Sequence, residues 1–243
     1  DGRTVLFNDD ERIFLRSTDG AAPPVQLGRG YSFALSPDLK WVACYTGRGL
    51  QPEITLLPTG AGQPRVLKGG GVLYSGGGFW SRDGKRLLLY GRQRGRPLRT
   101  FVQQTEGESP QPFTPEGVLA TDFSPSGSEV LARDEEGRLL LFPAAGGSPR
   151  RLPGPAESRV ESSDDVIWSS DERFLFVIER SPLSARVFRR EIATGRREFW
   201  KEISVSDPTA VLMFAPMLAR DGKSYVARCW RELTNLYLVE GLK

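Results

Sequence analysis

Short runs of alternating apolar and polar residues follow one another along the whole chain, and each run ends at small or polar residues. One run ends at Phe79-Trp80, the turn Ser81-Arg82-Asp83-Gly84-Lys85 follows, and the next run continues through Arg86-Leu87-Leu88-Leu89-Tyr90. Period-two alternation interrupted by Asp-Gly turns is typical of antiparallel β-strands. No long segment repeats its apolar residues with helical spacing. The pattern therefore predicts an all-β chain.

The turn between two apolar runs recurs along the chain at intervals of roughly 40–50 residues, the spacing of propeller blades. Its copies are Asp1-Gly2, Ser36-Pro37-Asp38, Ser81-Arg82-Asp83-Gly84, Ser124-Pro125-Ser126-Gly127, Ser169-Ser170-Asp171 and Arg220-Asp221-Gly222. Each copy is followed by an apolar strand, an alternating strand and a short segment that a proline introduces. With the strand before the turn, each repeat contains four strands.

We therefore predict a six-bladed β-propeller of four-stranded antiparallel blades, with incomplete terminal blades and a single domain over residues 1–243. The repeats span approximately residues 1–28, 29–69, 70–114, 115–154, 155–204 and 205–243. The chain begins at a turn, and its last repeat stops after Asn235–Glu240. A propeller leaves no open edge when one blade takes strands from both termini, so two forms of closure are open: residues before Asp1 supply the missing strands, or the ring closes with two three-stranded blades.

The recurring turn and its flanking strands resemble the TolB-like family of WD-type propellers over essentially the whole chain. The last ten residues, Thr234–Lys243, resemble the end of the propeller sensor domains of bacterial transmembrane serine/threonine kinases. These resemblances imply an extracytoplasmic, periplasmic-side sensing module in a bacterial signalling protein. Attachment to a membrane would come only through a segment outside this chain.

Composition excludes several kinds of chemistry. Histidine is absent, which removes the commonest general base and every Ser-His or Cys-His nucleophile pair. The net charge is only +3 and the basic residues are scattered, which argues against a nucleic-acid binder. The recurring Asp-Gly pairs are interpreted as structural turns, since glycine tolerates a positive φ and aspartate accepts backbone N–H bonds. We predict no catalytic residues, metal or cofactor.

Candidate binding residues lie in two kinds of loop that share one rim of a propeller: loops that enter the inner strands and loops that join second to third strands. Guanidinium groups in the densest basic loop, Arg92-Gln93-Arg94-Gly95-Arg96, are suited to grip carboxylates or phosphates. The adjacent aspartates Asp164 and Asp165, at the channel mouth, are suited to bind a cation or a basic peptide. The predicted rim residues are Arg29, Tyr31, Arg48, Arg92, Arg94, Arg96, Asp122, Asp164, Asp165, Trp230 and Arg231.

Three functions are compatible with this pattern. The favoured hypothesis is a non-catalytic sensor or interaction module that binds a protein or peptide on the rim. The alternative is a hydrolase of the lactonase or glycosidase kind that uses the channel carboxylates Asp122, Asp164 and Asp165. A third possibility is a small molecule bound in the central channel, which would require an enclosed pocket lined by aromatic residues.

Overall fold

The computed structural model describes residues 3–47, 52–157 and 165–231, and the regular elements of these residues are antiparallel β-strands. Within these ranges, no helix is long and apolar enough to cross a membrane. The chain divides into two compact units, Asp1–Arg151 and Leu152–Lys243. Each unit consists of consecutive β-meanders, in which neighbours along the chain are neighbours in the sheet.

The first unit contains one three-stranded and three four-stranded sheets. Its strands are β1 (Thr4–Asp9), β2 (Arg12–Ser17), β3 (Val25–Arg29), β4 (Tyr31–Leu35), β5 (Trp41–Thr46), β6 (Glu53–Pro58), β7 (Arg65–Val66), β8 (Leu73–Trp80), β9 (Arg86–Arg92), β10 (Arg99–Gln104), β11 (Gln111–Pro112), β12 (Leu119–Phe123), β13 (Glu129–Arg133), β14 (Leu139–Pro143) and β15 (Arg150–Arg151). We number its sheets in chain order as blades one to four.

The second unit contains blade five, a four-stranded sheet, and a two-stranded hairpin. Its strands are β16 (Val166–Trp168), β17 (Phe174–Arg180), β18 (Ser184–Glu191), β19 (Arg197–Ser204), β20 (Val211–Leu218) and β21 (Tyr225–Arg231).

The fold is an all-β propeller of four-stranded antiparallel sheets, but the described chain has five blades rather than the six predicted. The number of recurring turns overestimated the number of blades. One turn with its two strands forms only a hairpin, whereas a complete blade also needs outer strands. The last turn, at Asp221-Gly222, joins β20 and β21 in such a hairpin. The predicted third strand of that repeat, Asn235–Glu240, lies outside the described residues.

The second strand of blade three, β9, lies at the centre of the packing of the first unit. In β9, Leu87 and Leu89 join a cluster with residues of blade two, whereas Leu88 points the other way and packs with residues of blade four. All three leucines are fully buried. Alternate side chains of a strand project from opposite faces, so a strand between two blades must be apolar on both. In blade three this strand is therefore sandwiched between blades two and four.

Three of the aromatic residues next to the recurring turn are buried: Trp80, Phe123 and Trp168. Trp41, on the other side of its turn, is only half-buried, and it lines a surface groove described below.

The recurring turn requires a positive φ at one position, and Leu39 occupies it in blade two with φ 61°. Glycine occupies the equivalent position at Gly84 and Gly127, with φ 69° and 76°. In a residue with a Cβ, this conformation costs about 1–2 kcal/mol. Replacement of that residue by glycine removes the cost, but the greater conformational freedom of glycine in the unfolded chain offsets part of the gain in stability.

Leu39→Gly is therefore expected to raise the free energy of unfolding by about 0.5–1 kcal/mol. Urea denaturation followed by circular dichroism measures the change. The reciprocal variant Gly84→Leu is the matched control and should lower stability. A loss of stability in Leu39→Gly would show that contacts of the leucine side chain outweigh the strain of its backbone.

Candidate functional site

One end of the first unit carries the basic loop, which we define as Arg92–Arg96. The start of β8 pairs with the end of β9, Leu73 with Arg92, so the basic loop lies at the end where the inner strand begins. Arg96 Nε lies 3.4 Å from Glu116 Oε1, and Gly117 donates its N–H to Leu98 O at 2.8 Å. The basic loop therefore lies beside the loop that enters β12.

Two arginine side chains of the basic loop are unpaired within the described part of the chain. Arg92 and Arg94 are exposed, and neither has an ionic or hydrogen-bonding partner among the described residues. Arg96, which pairs with Glu116, is the one that anchors the loop. The arrangement leaves two guanidinium groups directed to solvent on an anchored loop, where they can bind carboxylate or phosphate oxygens.

Tyr31 is presented at the entry to blade two by the side chain of Asn8. The Asn8 amide donates to Gly30 O at 2.7 Å, and its carbonyl oxygen accepts the Ser32 N–H at 3.1 Å and the Ser32 hydroxyl at 2.5 Å. These bonds hold the backbone on both sides of Tyr31, whose side chain is 57% exposed. Sequence reasoning proposed Tyr31 for the rim but did not consider Asn8, because Asn8 lies near the end of β1 and acts on a segment distant in sequence.

The other predicted rim residues have varied surroundings. Arg29 is exposed at the end of β3 opposite Arg12, and Asp122 is half-buried in β12 just after a β-bulge. Asp165, in the second unit, is buried, and the Arg180 guanidinium lies 2.7 Å from its Oδ1. A carboxylate held in this way is not presented to an external cation or basic peptide. Arg48 and Asp164 lie outside the described residues.

The remaining two predicted residues lie at the end of β21 in the second unit. Trp230 is 62% exposed. Arg231 donates to Asp207 Oδ2 at 2.9 Å and to Asp207 O at 3.0 Å. Hydrogen bonds from Thr209 and the contact with Arg231 lower the pKa of Asp207 to about 2. Arg231 therefore braces the segment before β20 rather than projecting alone into solvent.

The opposite end of blades two and three holds a groove that the sequence did not reveal. It has a volume of about 370 Å³ and lies where the recurring turns of the two blades meet. Since β8 is eight residues long, the groove is on the order of 20 Å from the rim. Besides Leu56 in its floor, the side chains that define it are Trp41, Arg65, Trp80, Arg82, Lys85 and Glu106.

The two aspartates of the groove are committed to their own turns. Asp38 Oδ1 accepts the Ser36 hydroxyl at 2.6 Å and the Lys40 N–H at 3.1 Å, and Asp83 Oδ1 accepts the equivalent bonds from Ser81 and Lys85 at 2.5 and 3.0 Å. These bonds, those of the serines foremost, lower the pKa of both carboxyls. Both aspartates therefore stay ionised near neutral pH, unlike a general acid, whose pKa must be raised.

No cluster of three or more histidine, cysteine, aspartate or glutamate side chains in the described ranges is arranged to hold a metal ion. The carboxylates proposed for a hydrolase have different surroundings. Asp122 belongs to the first unit, Asp165 is paired with Arg180 in the second, and Asp164 lies outside the described residues.

No family model and no curated protein matches the chain. Solved structures do match. TolB from Acinetobacter baumannii has a TM-score of 0.62 and 18% identity, and the match covers 90% of this chain and 59% of that one. This chain therefore spans less than two thirds of that TolB.

Two further structures are similar. A putative TolB from Agrobacterium tumefaciens has a TM-score of 0.61 and 18% identity, over 84% of this chain and 78% of that one. An oligogalacturonate lyase in complex with manganese has a TM-score of 0.60 and 15% identity, over 91% and 66%. Identities this low establish the fold and no shared activity. The chain has the β-propeller fold found in TolB-like proteins.

Proposed function

We propose that this chain is a non-catalytic propeller that binds an acidic segment of a protein partner through the rim of its first unit. The observation that carries the proposal is the pair Arg92 and Arg94, exposed and without partners among the described residues, on a loop anchored by the Arg96–Glu116 contact. Arginine side chains lose much of their conformational freedom when they bind a partner. An anchored loop reduces the further entropic cost of ordering the backbone that carries them.

The chemistry of the rim favours binding over catalysis. Guanidinium groups recognise carboxylates through paired hydrogen bonds, and an exposed tyrosine such as Tyr31 adds contact area at low entropic cost. A TolB and a lyase share this fold, so the proposal rests on the side chains of the rim and not on the fold.

The same proposal extends to location and context. We infer an extracytoplasmic sensor or interaction module of a bacterial signalling protein, because of the resemblance to TolB-like propellers and to kinase-attached sensor domains. The residues that carry the kinase resemblance, 234–243, lie outside the described residues.

The rim is tested with a fluorescein-labelled peptide of about ten residues, rich in glutamate, whose affinity is measured by fluorescence anisotropy. Arg92→Ala/Arg94→Ala is expected to weaken binding at least about tenfold, because each lost charge-assisted hydrogen bond contributes about 1.5–3 kcal/mol. Added salt should weaken the wild-type interaction as well, since it screens exposed charges.

Two controls make the result specific. Arg16→Ala/Arg151→Ala removes the same charge from exposed positions on β2 and β15, and should leave the affinity nearly unchanged. A peptide with every glutamate changed to glutamine should bind weakly to the wild type. Equal losses in the two double variants, or equal affinity for the two peptides, would refute recognition by the basic loop.

A further inference from the structure

We propose that the acidic segment bound by the rim also carries a positively charged residue, which the carboxylate of Glu135 recognises. The inference rests on the proposed function and adds the chemical class of a second contact. Glu135 lies in the loop that joins β13 to β14, and we name residues 134–138 the acidic loop. The end of β13 pairs with the start of β12, Arg133 with Leu119. The acidic loop therefore lies at the end of blade four where the inner strand begins, as the basic loop does in blade three.

One short loop, which enters β12, separates the basic loop from the acidic loop. On one side of it, Arg96 Nε lies 3.4 Å from Glu116 Oε1. On the other side, Glu135 covers the backbone of Gly117, since a Cβ added to Gly117 would lie 3.1 Å from Glu135 Oε1. Consecutive Cα atoms are about 3.8 Å apart, so the basic loop and the Glu135 carboxylate lie on the order of 10 Å from each other. One extended segment of a partner can reach both.

The acidic loop has the same construction as the basic loop, with the opposite sign. An internal contact anchors it: the Arg138 guanidinium donates from Nε to Asp134 Oδ2 at 2.6 Å and from Nη2 to Glu136 Oε2 at 2.5 Å. Glu135, between these two acids, is exposed and has no hydrogen bond or ion pair with a described residue. Each loop is therefore anchored through one arginine and presents other charges to a partner.

Unpaired charges of opposite sign on neighbouring loops favour a partner that matches both. Arg92 and Arg94 attract carboxylates, whereas Glu135 repels an acidic segment that passes over it and attracts a lysine or an arginine. These three side chains are exposed and unpaired among the described residues, so binding need not break an ion pair there. Each residue of an extended segment advances about 3.3 Å, so the opposite charges of the partner should lie about three residues apart. The rim therefore selects a segment of mixed charge over a uniformly acidic one.

Three fluorescein-labelled peptides of about ten residues test the inference by fluorescence anisotropy at low salt. The lysine peptide carries two glutamates and, three residues later, a lysine. The glutamine peptide has glutamine in place of that lysine, and the third is the glutamate-rich peptide used for the rim. We expect the wild type to bind the lysine peptide about threefold to fivefold more tightly than the glutamine peptide, which is the upper range for an exposed ion pair.

Glu135→Gln gives a result that general damage to the fold cannot imitate. It should abolish the preference for the lysine peptide over the glutamine peptide. The same variant should strengthen binding of the glutamate-rich peptide, because a repelling carboxylate is removed. Glu106→Gln removes an equal charge from an exposed position at the opposite end of blade three, and it should leave both the preference and the affinities nearly unchanged.

The double variant Arg92→Ala/Arg94→Ala separates this inference from the proposed function. It should weaken binding of the lysine and the glutamine peptide alike and keep the preference for lysine. No preference for the lysine peptide in the wild type, or the same preference in wild type and Glu135→Gln, would overturn the inference and leave the proposed function standing. Undiminished affinity of both peptides for the double variant would instead refute the proposed function, and this inference with it.

Discussion

Glu157→Ala is expected to lower the free energy of unfolding of the second unit by about 3–5 kcal/mol. Glu157 and Arg190 each have a side chain that is 1% exposed, and Arg190 Nη1 donates to Glu157 Oε1 at 2.7 Å. Removal of the carboxylate would leave the guanidinium buried without its counter-charge. The desolvation of that charge, rather than the lost hydrogen bond alone, makes the expected effect large.

Among the described residues, no neighbour of Glu157 is available to replace it. Arg197 Nη1 lies 3.3 Å from the second carboxylate oxygen, while its Nη2 donates to Glu179 Oε1 at 2.5 Å. The Arg197 guanidinium also lies 3.9 Å from the centroid of the Phe188 ring. Glu179 is thus already committed to Arg197, and Arg190 donates its other described hydrogen bonds to the carbonyl oxygens of Pro153 and Pro155. Carbonyl oxygens stabilise a cation but carry no full negative charge.

Urea unfolding monitored by tryptophan fluorescence, with hydrogen exchange of β18 as a local measurement, tests this expectation. Glu198→Ala is the matched control: its carboxylate pairs with Arg189 and Arg196 near the surface, and its loss should change stability far less. In a double-mutant cycle, Glu157→Ala/Arg190→Met should cost less than the sum of the single changes. Additive effects, or a Glu157→Ala variant as stable as Glu198→Ala, would show that this pair is not coupled.

Leu88→Ala is expected to lower the free energy of unfolding by about 2–5 kcal/mol, through loss of buried surface and the cavity that remains. Leu88 is fully buried and packs with Ala120, Phe123 and Val130 of blade four. Strands on both sides of the site restrict how far the surroundings can close around the smaller side chain. The upper part of the range is therefore expected.

The same urea experiment measures the effect of Leu88→Ala. Val66→Ala, in the outer strand β7 of the same unit, truncates an apolar side chain that is 60% exposed and should cost less than about 0.5 kcal/mol. Leu88→Met keeps most of the volume and should cost less than about 1.5 kcal/mol. If Leu88→Ala were as mild as Val66→Ala, the packing of blade three against blade four would be wrong.

Strand pattern and turn chemistry could be read from the sequence because both are local. Leu87, Leu88 and Leu89 form an unbroken apolar run, which predicts a strand covered on both faces, and the structure shows this arrangement. The turn Ser81–Lys85 combines a hydroxyl, a carboxylate and a glycine within a few residues, so its bonds need no distant partner. The number of blades was beyond this reasoning, because a hairpin and the first half of a blade have the same local pattern.

Contacts between segments distant in sequence account for what was missed. Asn8 holds the backbone around Tyr31 from another blade. Asp165, which was predicted to lie on the binding rim, is buried against Arg180. Neither Asn8 nor Arg180 belongs to a recognisable motif, so the residues next to it in the sequence do not identify it as an interaction partner. A side chain's charge is visible in the sequence, whereas its partners depend on how strands are placed side by side.

The sequence by itself determined the all-β class, the four-stranded repeat and the turns that close it, since alternation and turn residues act over a few neighbouring positions. Only the tertiary structure decided that Arg65 stacks on Trp41 and that Asp165 is paired with Arg180. The physical reason is that such contacts join residues that lie apart in the sequence. Their distances are set by strand pairing and packing and are not encoded in the local pattern.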